Sequence, residues 1–208
     1  AALIGSTEFS GLPVLLRRGL FTIIASFTTT GFQNITVNQM NTVFTSGAFL
    51  IVALLMAVGG SSGSTAGGIK FSRLGLVGKS LVANIKETVA PDSARIVVSY
   101  YHAGRRIVSP ELVKEATTVL VLYIITYLVG ALVGIAHGYE ATQAIFESVA
   151  MASNGGLSCG IATPGMPITL ELFYIFEMWA GRLEFVTLIA LIVEMVISLN
   201  PLRWGDRR

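Results

Sequence analysis

The chain is poor in charged residues, and this scarcity excludes most soluble folds. Only 12% of its 208 residues are Asp, Glu, Lys or Arg, whereas 53% are hydrophobic and the mean hydropathy is +0.72. Soluble globular domains usually carry about 25% charged residues. Long apolar runs at 117–136 and 183–199 reach the length of about 20 residues that crosses a bilayer as a helix. The sequence therefore predicts an all-α integral membrane protein.

Cysteine and histidine are also scarce. The single cysteine, Cys159, excludes a disulfide within the chain. The two histidines, His102 and His137, have no second ligand at metal-binding spacing, so no transition-metal site is expected. The sequence opens at Ala1 with no signal-peptide pattern, and we expect it to be a fragment of a longer protein.

Positive charge is distributed unevenly. Eight of the 14 Lys and Arg residues lie between Lys70 and Lys114, three more lie at 203–208, and 33–41, 137–140 and 157–170 contain none. Because Lys and Arg accumulate on the cytoplasmic side of membrane proteins, we predict a multi-pass plasma-membrane protein with a cytoplasmic linker and C-terminus. The basic residues of the linker are scattered between membrane segments, so no nucleic-acid partner is expected.

Two short apolar segments repeat one pattern. "FTIIASFTTTGFQN" (21–34) and "FESVAMASNGGLSC" (146–159) each begin with Phe, have Ala four places later and reach Gly ten places later, at an offset of 125 residues. Each apolar part is too short to span a bilayer, so we predict a re-entrant helix in each half. Non-helical backbone at membrane depth must be buried in protein or line a watery cavity. The loops after these helices are therefore expected to line an ion path.

The remaining helices are predicted from apolar length and from interruptions. Expected segments are 41–58 running into the glycine-rich stretch 59–68, a helix at 69–86, a polar connection at 90–109, a span at 112–136 beginning near Pro110, a re-entrant helix at 140–151, and a helix at 167–199 interrupted at 181–184. Together they give a first unit at 1–86 without its opening helix, a cytoplasmic linker at 87–111 and a second unit at 112–208. Interrupted helices at corresponding places in two halves indicate a substrate path near the midplane.

The two repeated loops favour a cation over an anion. Glycine lets successive carbonyl groups turn to one side, and a ring of carbonyl oxygens can replace the hydration shell of an alkali ion. A re-entrant helix also points its C-terminal end, which carries partial negative charge, toward the membrane centre. We therefore interpret each loop as one wall of a cation filter.

Four motifs carry a resemblance to a known family. "TTTGF" (28–32), "GGSSGSTAGGIKFSR" (59–73), "GLSCGIATPGMP" (156–167) and "MWAGRLE" (178–184) are similar to the C-terminal half of the Trk/Ktr/HKT superfamily of potassium transporters. Those proteins contain four helix–pore-loop–helix units, so this chain resembles the third and fourth units. The resemblance implies potassium uptake with potassium bound at Thr29, Gly31, Asn154 and Gly156. It implies no catalysis and no organic cofactor.

The resemblance also assigns the residues of the pore. The filter would consist of Thr28, Thr29, Thr30, Gly31, Phe32, Ser153, Asn154, Gly155, Gly156 and Leu157. An intramembrane gate would consist of Gly59, Gly60, Ser61, Ser62, Gly63, Ser64, Thr65, Ala66, Gly67, Gly68 and Arg182. Expected partners are membrane lipid, the missing pore units or further copies of the chain, a second protomer of a homodimer, and a cytoplasmic nucleotide-binding regulatory subunit.

Several residues have alternative interpretations. The glycine-rich stretch could be a site of close helix packing, and Arg182 could form an ion pair with Glu177 or Glu184. Lys70 could line the constriction or lie at the cytoplasmic surface. Glu147 is expected to make a structural polar contact behind the filter.

Two other functions remain open on the sequence alone. "GSSG" at 60–63 fits a rhomboid-like intramembrane serine protease, with Ser62 as the nucleophile and His137 as the base. A secondary transporter of another fold, with broken helices around an organic substrate, is the second alternative.

Overall fold

The computed structural model describes residues 11–61, 63–91, 98–101, 105–183 and 185–198. Helices dominate these ranges. The elements are α1 (Leu12–Phe27), α2 (Val37–Val43), α3 (Ser46–Ala57), β1 (Val58–Gly59), β2 (Ile69–Lys70), α4 (Phe71–Val89), β3 (Ser99–Tyr101), β4 (Arg105–Ile107), α5 (Pro110–Ala136), α6 (Ala141–Ala152), α7 (Ile168–Arg182) and α8 (Phe185–Ser198).

Hydroxyl side chains cap three helices at the points where they begin. Thr36 and Gln39 form a capping box at α2, and the Thr45 hydroxyl accepts from the Ala48 N–H at α3. The Ser109 hydroxyl accepts from Leu112 N–H at α5, whose first residue is Pro110. Such caps satisfy backbone donors that have no partner within the helix. The start of α5 at Pro110 agrees with the sequence.

The structure corrects three details of the predicted segments. The stretch 41–58 was expected to be one apolar segment, but it contains the end of α2 and all of α3, because the backbone is extended at Phe44 and Thr45. The polar connection 90–109 contains an antiparallel pair of strands, β3 and β4. The glycine-rich stretch is flanked by a parallel pair, β1 and β2. The interruption expected at 181–184 is present, since α7 ends at Arg182 and α8 begins at Phe185.

Helix α6 lies at the centre of the packing, against α3, α5 and α7. Phe146 of α6, Met56 of α3 and Leu170 of α7 are fully buried in one apolar cluster. A second cluster around Val119, Tyr123 and other residues joins α5 to the break between α7 and α8. The short helix α6 is therefore surrounded by protein, as a re-entrant helix requires.

Helix α5 has the properties of a membrane span. Within the described ranges it is the one helix long and apolar enough to cross a bilayer, while Ser46–Ala57 and Thr187–Ser198 are apolar but shorter. Its outer face exposes large apolar side chains, including Ile124, Leu128 and Leu132. Exposed apolar surface of this extent indicates contact with lipid or with another protein.

A buried hydrogen bond connects α5 to the end of α7. The Tyr123 hydroxyl donates to the Gly181 carbonyl at 2.9 Å. We expect Tyr123→Phe to lower the free energy of unfolding by about 1–3 kcal/mol, because the buried carbonyl loses its partner. Thermal unfolding of the purified protein in detergent measures the change.

Tyr174 offers a matched control. It is as buried as Tyr123, at 2% exposure, but its hydroxyl has no hydrogen-bond partner among the residues that the structure describes. Tyr174→Phe should therefore leave the unfolding temperature unchanged or raise it. Equal losses in the two variants would show that the Tyr123 hydrogen bond adds nothing to stability.

Candidate functional site

The two predicted filter loops leave their helices in the same conformation. After α1, Thr30 N–H donates to Ala25 carbonyl at 3.1 Å, and after α6, Gly155 N–H donates to Ala150 carbonyl at 2.7 Å. The residue between helix and loop is left-handed in both, with φ of 48° at Thr29 and 52° at Asn154. This is the Schellman ending of a helix. A threonine in this conformation is uncommon. The surrounding fold therefore stabilises a backbone conformation that Thr29 by itself disfavours.

Gly31 and Gly156 contact each other directly. Both have positive φ, 82° and 72°, which side-chain-bearing residues rarely adopt. A Cβ at Gly156 would lie 2.6 Å from Gly31 Cα, and a Cβ at Gly31 would lie 3.3 Å from Gly156 Cα. The backbone conformation thus favours glycine at both positions, and the space at Gly156 also excludes a Cβ. The fold brings together two positions 125 residues apart in the sequence.

Hydrogen bonds that the sequence reasoning missed join the loops just beyond these glycines. Ser158 N–H donates to Gln33 Oε1, and Gln33 Nε2 donates to the Ser158 carbonyl, each at 3.2 Å. Nearby, Asn41 Nδ2 donates to the Cys159 carbonyl at 3.2 Å. Gln33 and Ser158 are again 125 residues apart, so the repeat offset was the signal that could have paired them.

The glycine-rich stretch lies against both loops. Gly67 N–H donates to Thr29 Oγ1 at 3.1 Å, and a Cβ at Gly67 would lie 1.8 Å from the Ser153 carbonyl oxygen. Gly60, Ser61 and 63–68 are not helical, so the alternative of close helix packing is wrong for these residues. Ser62 lies outside the described residues.

Two cationic side chains hold the carbonyl groups of this stretch. Arg182 Nη1 donates to the Thr65 carbonyl, and Lys70 Nζ donates to the carbonyls of Ser64, at 2.8 Å, and Ala66. Both cations line a cavity of about 320 Å³ together with Tyr123 and Gly181. Lys70 therefore lies at the same cavity as Arg182.

The alternative of an ion pair between Arg182 and Glu177 is not formed among the described residues. Glu177 is fully buried, its Oε1 accepts from Ser148 Oγ at 2.9 Å, and its Oε2 has no hydrogen-bond partner in the described part of the chain. Arg182 ends α7 and donates to the Thr65 carbonyl instead. Glu184, the other candidate partner, lies outside the described residues.

The equivalent residues Phe32 and Leu157 have different environments. Leu157 is 1% exposed and belongs to the core around α6, whereas Phe32 is 70% exposed. Asn154 Nδ2 donates to the Met178 carbonyl at 3.2 Å, which attaches the second loop to α7. The second loop is thus enclosed by the described residues, and the first loop presents an open apolar edge.

His137 is engaged away from the glycine-rich stretch. Its Nδ1 lies 2.8 Å from the Val133 carbonyl and its Nε2 lies 2.8 Å from Thr169 Oγ1. These contacts connect the ends of α5 and α7, and they give His137 a structural role. The catalytic pair that the protease alternative requires includes Ser62, which lies outside the described residues.

Comparison with known proteins identifies the family. A family model described as TrkH, cation transport protein, matches residues 7–199, nearly the whole chain. The chain belongs to the TrkH family. The resemblance to the Trk/Ktr/HKT superfamily is confirmed, as is the prediction of a multi-pass plasma-membrane protein.

Individual relatives of the TrkH family are cation transporters by name. An uncharacterized cation transporter, MJ1485, of Methanocaldococcus jannaschii is 35% identical over 176 residues, which cover 85% of this chain and 36% of the relative. The Trk system potassium uptake protein TrkH of Escherichia coli is 26% identical over 188 residues, covering 88% and 37% respectively. The chain spans little more than a third of these relatives. Because they are transport proteins, they disfavour the protease alternative.

A solved structure shares the fold. The crystal structure of the potassium transporter TrkH from Vibrio parahaemolyticus superimposes with a TM-score of 0.71 at 24% identity, over 98% of this chain and 41% of that one. The all-α membrane-transporter fold is therefore established, and the alternative of a secondary transporter of another fold is wrong.

Proposed function

We propose that this chain forms two walls of a potassium-uptake pathway, with residues 1–86 and 112–208 as successive pore units and 87–111 as a cytoplasmic linker. One observation carries the proposal: Gly31 and Gly156 meet in two loops of the same conformation. The Vibrio parahaemolyticus neighbour is a potassium transporter by name, which favours potassium as the ion of this chain.

The filter would bind a dehydrated cation through backbone carbonyl groups. Helices α1 and α6 both end at these loops, and neither has a basic residue in its last turn. No basic residue of either last turn therefore compensates their partial negative charge, and this charge would stabilise a cation. Potassium would bind near Thr29, Gly31, Asn154 and Gly156, with carbonyls from 28–32 and 153–157.

The gate would be the stretch 59–68 together with Arg182. Gly67 lies against both filter loops, and Lys70 and Arg182 hold the carbonyls of the same stretch. A segment so rich in glycine does not form a stable helix, since each glycine costs about 1 kcal/mol relative to alanine. The hydrogen bonds from Lys70 and Arg182 would hold the stretch in the path in one state, and their release would let it leave the path in another.

Further walls must complete the pathway. The relatives are nearly three times as long as the matched region, and the exposed Phe32 presents an apolar edge beside the filter loop. Preceding pore units or further copies of the chain would cover this edge. We also propose a homodimer in membrane lipid, with a cytoplasmic nucleotide-binding subunit on the basic linker.

Ion flux tests the proposed function. The protein expressed from its complete reading frame is reconstituted in liposomes, and the uptake of potassium, rubidium and sodium is compared. We expect potassium and rubidium to enter faster than sodium. Equal rates for all three ions would refute the selectivity, and the absence of flux would refute the pathway.

Arg182→Ala should increase potassium flux. A fixed positive charge on the path opposes a passing cation, and its removal also frees the Thr65 carbonyl. We expect an increase of about tenfold, which corresponds to a barrier lowered by about 1.4 kcal/mol. Arg73→Ala is the control, because Arg73 lies 4.0 Å from Glu115 and is not one of the proposed gate residues. A folded Arg182→Ala protein with unchanged flux would contradict the barrier role.

A further inference from the structure

Glu147 is a fully buried carboxylate that binds the loop following Gly156. Its Oε1 accepts from Ser158 Oγ at 2.7 Å and from Ala162 N–H at 3.1 Å. Its Oε2 accepts from Cys159 N–H at 2.9 Å and from Cys159 Sγ at 3.0 Å. One side chain of α6 thus fixes the segment 158–162 through both of its oxygens.

The bonding pattern is that of an ionised carboxylate. All the partners donate and Glu147 only accepts, as an ionised carboxyl group does. The Cys159 thiol is one of these donors, at 3.0 Å from Oε2. Hydrogen bonds to a charged acceptor are stronger than those between neutral groups. Glu147 is therefore a strong attachment point.

The first half of the chain has a weaker version of this contact. Thr22 occupies the position 125 residues before Glu147, and its hydroxyl, which donates to the Arg18 carbonyl at 2.9 Å, lies 3.3 Å from Asn34 Oδ1. Asn34 is likewise the counterpart of Cys159. The same two positions thus meet in both halves, but a neutral side chain makes the contact in the first half and a carboxylate makes it in the second.

The attachment extends to the first loop through Ser158. The backbone of Ser158 exchanges two hydrogen bonds with the Gln33 side chain, and Gln33 follows Gly31 by two residues. Glu147 binds the Ser158 hydroxyl, and the Ser158 backbone binds the Gln33 side chain. The relative position of the two contacting glycines therefore depends on a carboxylate that touches neither of them.

We propose that Glu147 is a positioning residue for ion selectivity, holding the loops of Gly156 and Gly31 at a fixed separation through Ser158 and Gln33. The inference rests on the proposed filter function. A carbonyl site discriminates between alkali ions by the size of its cavity or by the number and field strength of its carbonyls. In either case the backbone carbonyl groups that bind the ion must keep fixed positions. Residues behind these ligands stabilise those positions.

Glu147→Gln tests the proposal with a change of one atom. The amide nitrogen of glutamine is a hydrogen-bond donor, and it would face the donor groups of Cys159 or Ser158. The negative charge of the side chain would also be lost. We expect the potassium-to-sodium flux ratio to fall about tenfold or more, as for other supporting groups around ion sites, while potassium flux persists. Glu147→Asp keeps the charge and should restore part of the ratio. Glu171→Gln is the control, because Glu171 is an exposed carboxylate of α7, and it should leave the ratio unchanged.

Labelling of Cys159 gives a readout that does not require transport. Cys159 is 2% exposed, so a maleimide should react with it slowly. The measurement uses protein in which every other cysteine has been replaced. Glu147→Gln should accelerate the reaction about tenfold or more, as expected when hydrogen bonds to a charged acceptor are lost, and Glu171→Gln should not. If Glu147→Gln does not accumulate, Ser158→Ala removes one donor to Oε1 and should produce smaller changes of the same sign.

The outcomes separate this inference from the proposed function. Folded Glu147→Gln protein with the wild-type flux ratio and labelling rate would overturn the positioning role. If Glu147→Gln lowers the potassium-to-sodium flux ratio and Glu147→Asp lowers it just as much, the positioning role would also be overturned. The negative charge of the side chain would then be irrelevant. If the wild-type protein transports no potassium, the proposed filter function fails, and the selectivity role of Glu147 fails with it. The labelling rate then shows only whether Glu147 stabilises the loop at 158–162.

Discussion

Gly67→Ala is expected to move the glycine-rich stretch away from the filter loops and to raise potassium flux. The added Cβ would lie 1.8 Å from the Ser153 carbonyl oxygen and 2.6 Å from its carbon. Both are backbone atoms at the end of α6, so no side-chain rotation relieves the clash. Overpacking of this kind costs about 1–3 kcal/mol and sometimes more, and the loop can avoid it by withdrawing. If the stretch obstructs the pathway, potassium uptake into liposomes should increase about tenfold, as for a barrier lowered by about 1.4 kcal/mol.

Gly63→Ala is the matched control for this experiment. Gly63 belongs to the same stretch, but a Cβ there would meet nothing within 4 Å. Its substitution stiffens the segment without displacing it, so flux should remain near the wild-type value. Folded Gly67→Ala protein with the same flux as Gly63→Ala would refute the role of this contact in gating.

Thr29→Val provides a milder form of the same test. It removes the hydroxyl that accepts from Gly67 N–H at 3.1 Å but keeps the size and branching of the side chain. The left-handed backbone of Thr29 is then equally unfavourable in both proteins, so the lost hydrogen bond is the main change. We expect a smaller increase in flux than for Gly67→Ala, and a decrease would indicate that Thr29 acts mainly on the filter.

The repeat explains why much of the fold could be predicted from the sequence. Apolar length predicted α5 and the short α6, and the interruption at 181–184 marked the break after α7. The offset of 125 residues between Phe21 and Phe146 predicted two equivalent loops, and the structure gives them the same helix endings. These features follow from local composition and periodicity, which a single sequence contains.

Contacts between distant segments could not be predicted in the same way. The sequence shows that Gly67 is small, but only packing shows that it meets Ser153 and Thr29. The strands β3 and β4 do have a local signal, because "IVVSYY" (96–101) consists mostly of β-branched and aromatic residues, which favour strands. The start of α2 has one as well, because Thr36 and Gln39 form a capping box that is legible in the sequence.

Gly156→Ser is expected to abolish most of the discrimination between potassium and sodium. Serine at this position must adopt a φ near 72°, which costs about 1–2 kcal/mol for a residue with a Cβ. The Cβ would also lie 2.6 Å from Gly31 Cα, so the two loops must separate. A separation at this contact would change the spacing of the carbonyl groups that we propose as the ion ligands. The potassium-to-sodium flux ratio should therefore fall about tenfold or more, since each 1.4 kcal/mol corresponds to a factor of ten.

Two further variants assign the cause of this loss. Gly31→Ser should reduce the ratio less, because its Cβ would lie 3.3 Å from Gly156 Cα and a shift of a few tenths of an ångström accommodates it. Gly165→Ser tests strain without contact, since Gly165 has a φ of 99° but open space around its Cβ position. If Gly165→Ser lowers the flux ratio as much as Gly156→Ser, backbone strain in the loop is responsible. If only the two contacting glycines are sensitive, in the order Gly156 before Gly31, then their close approach sets the selectivity.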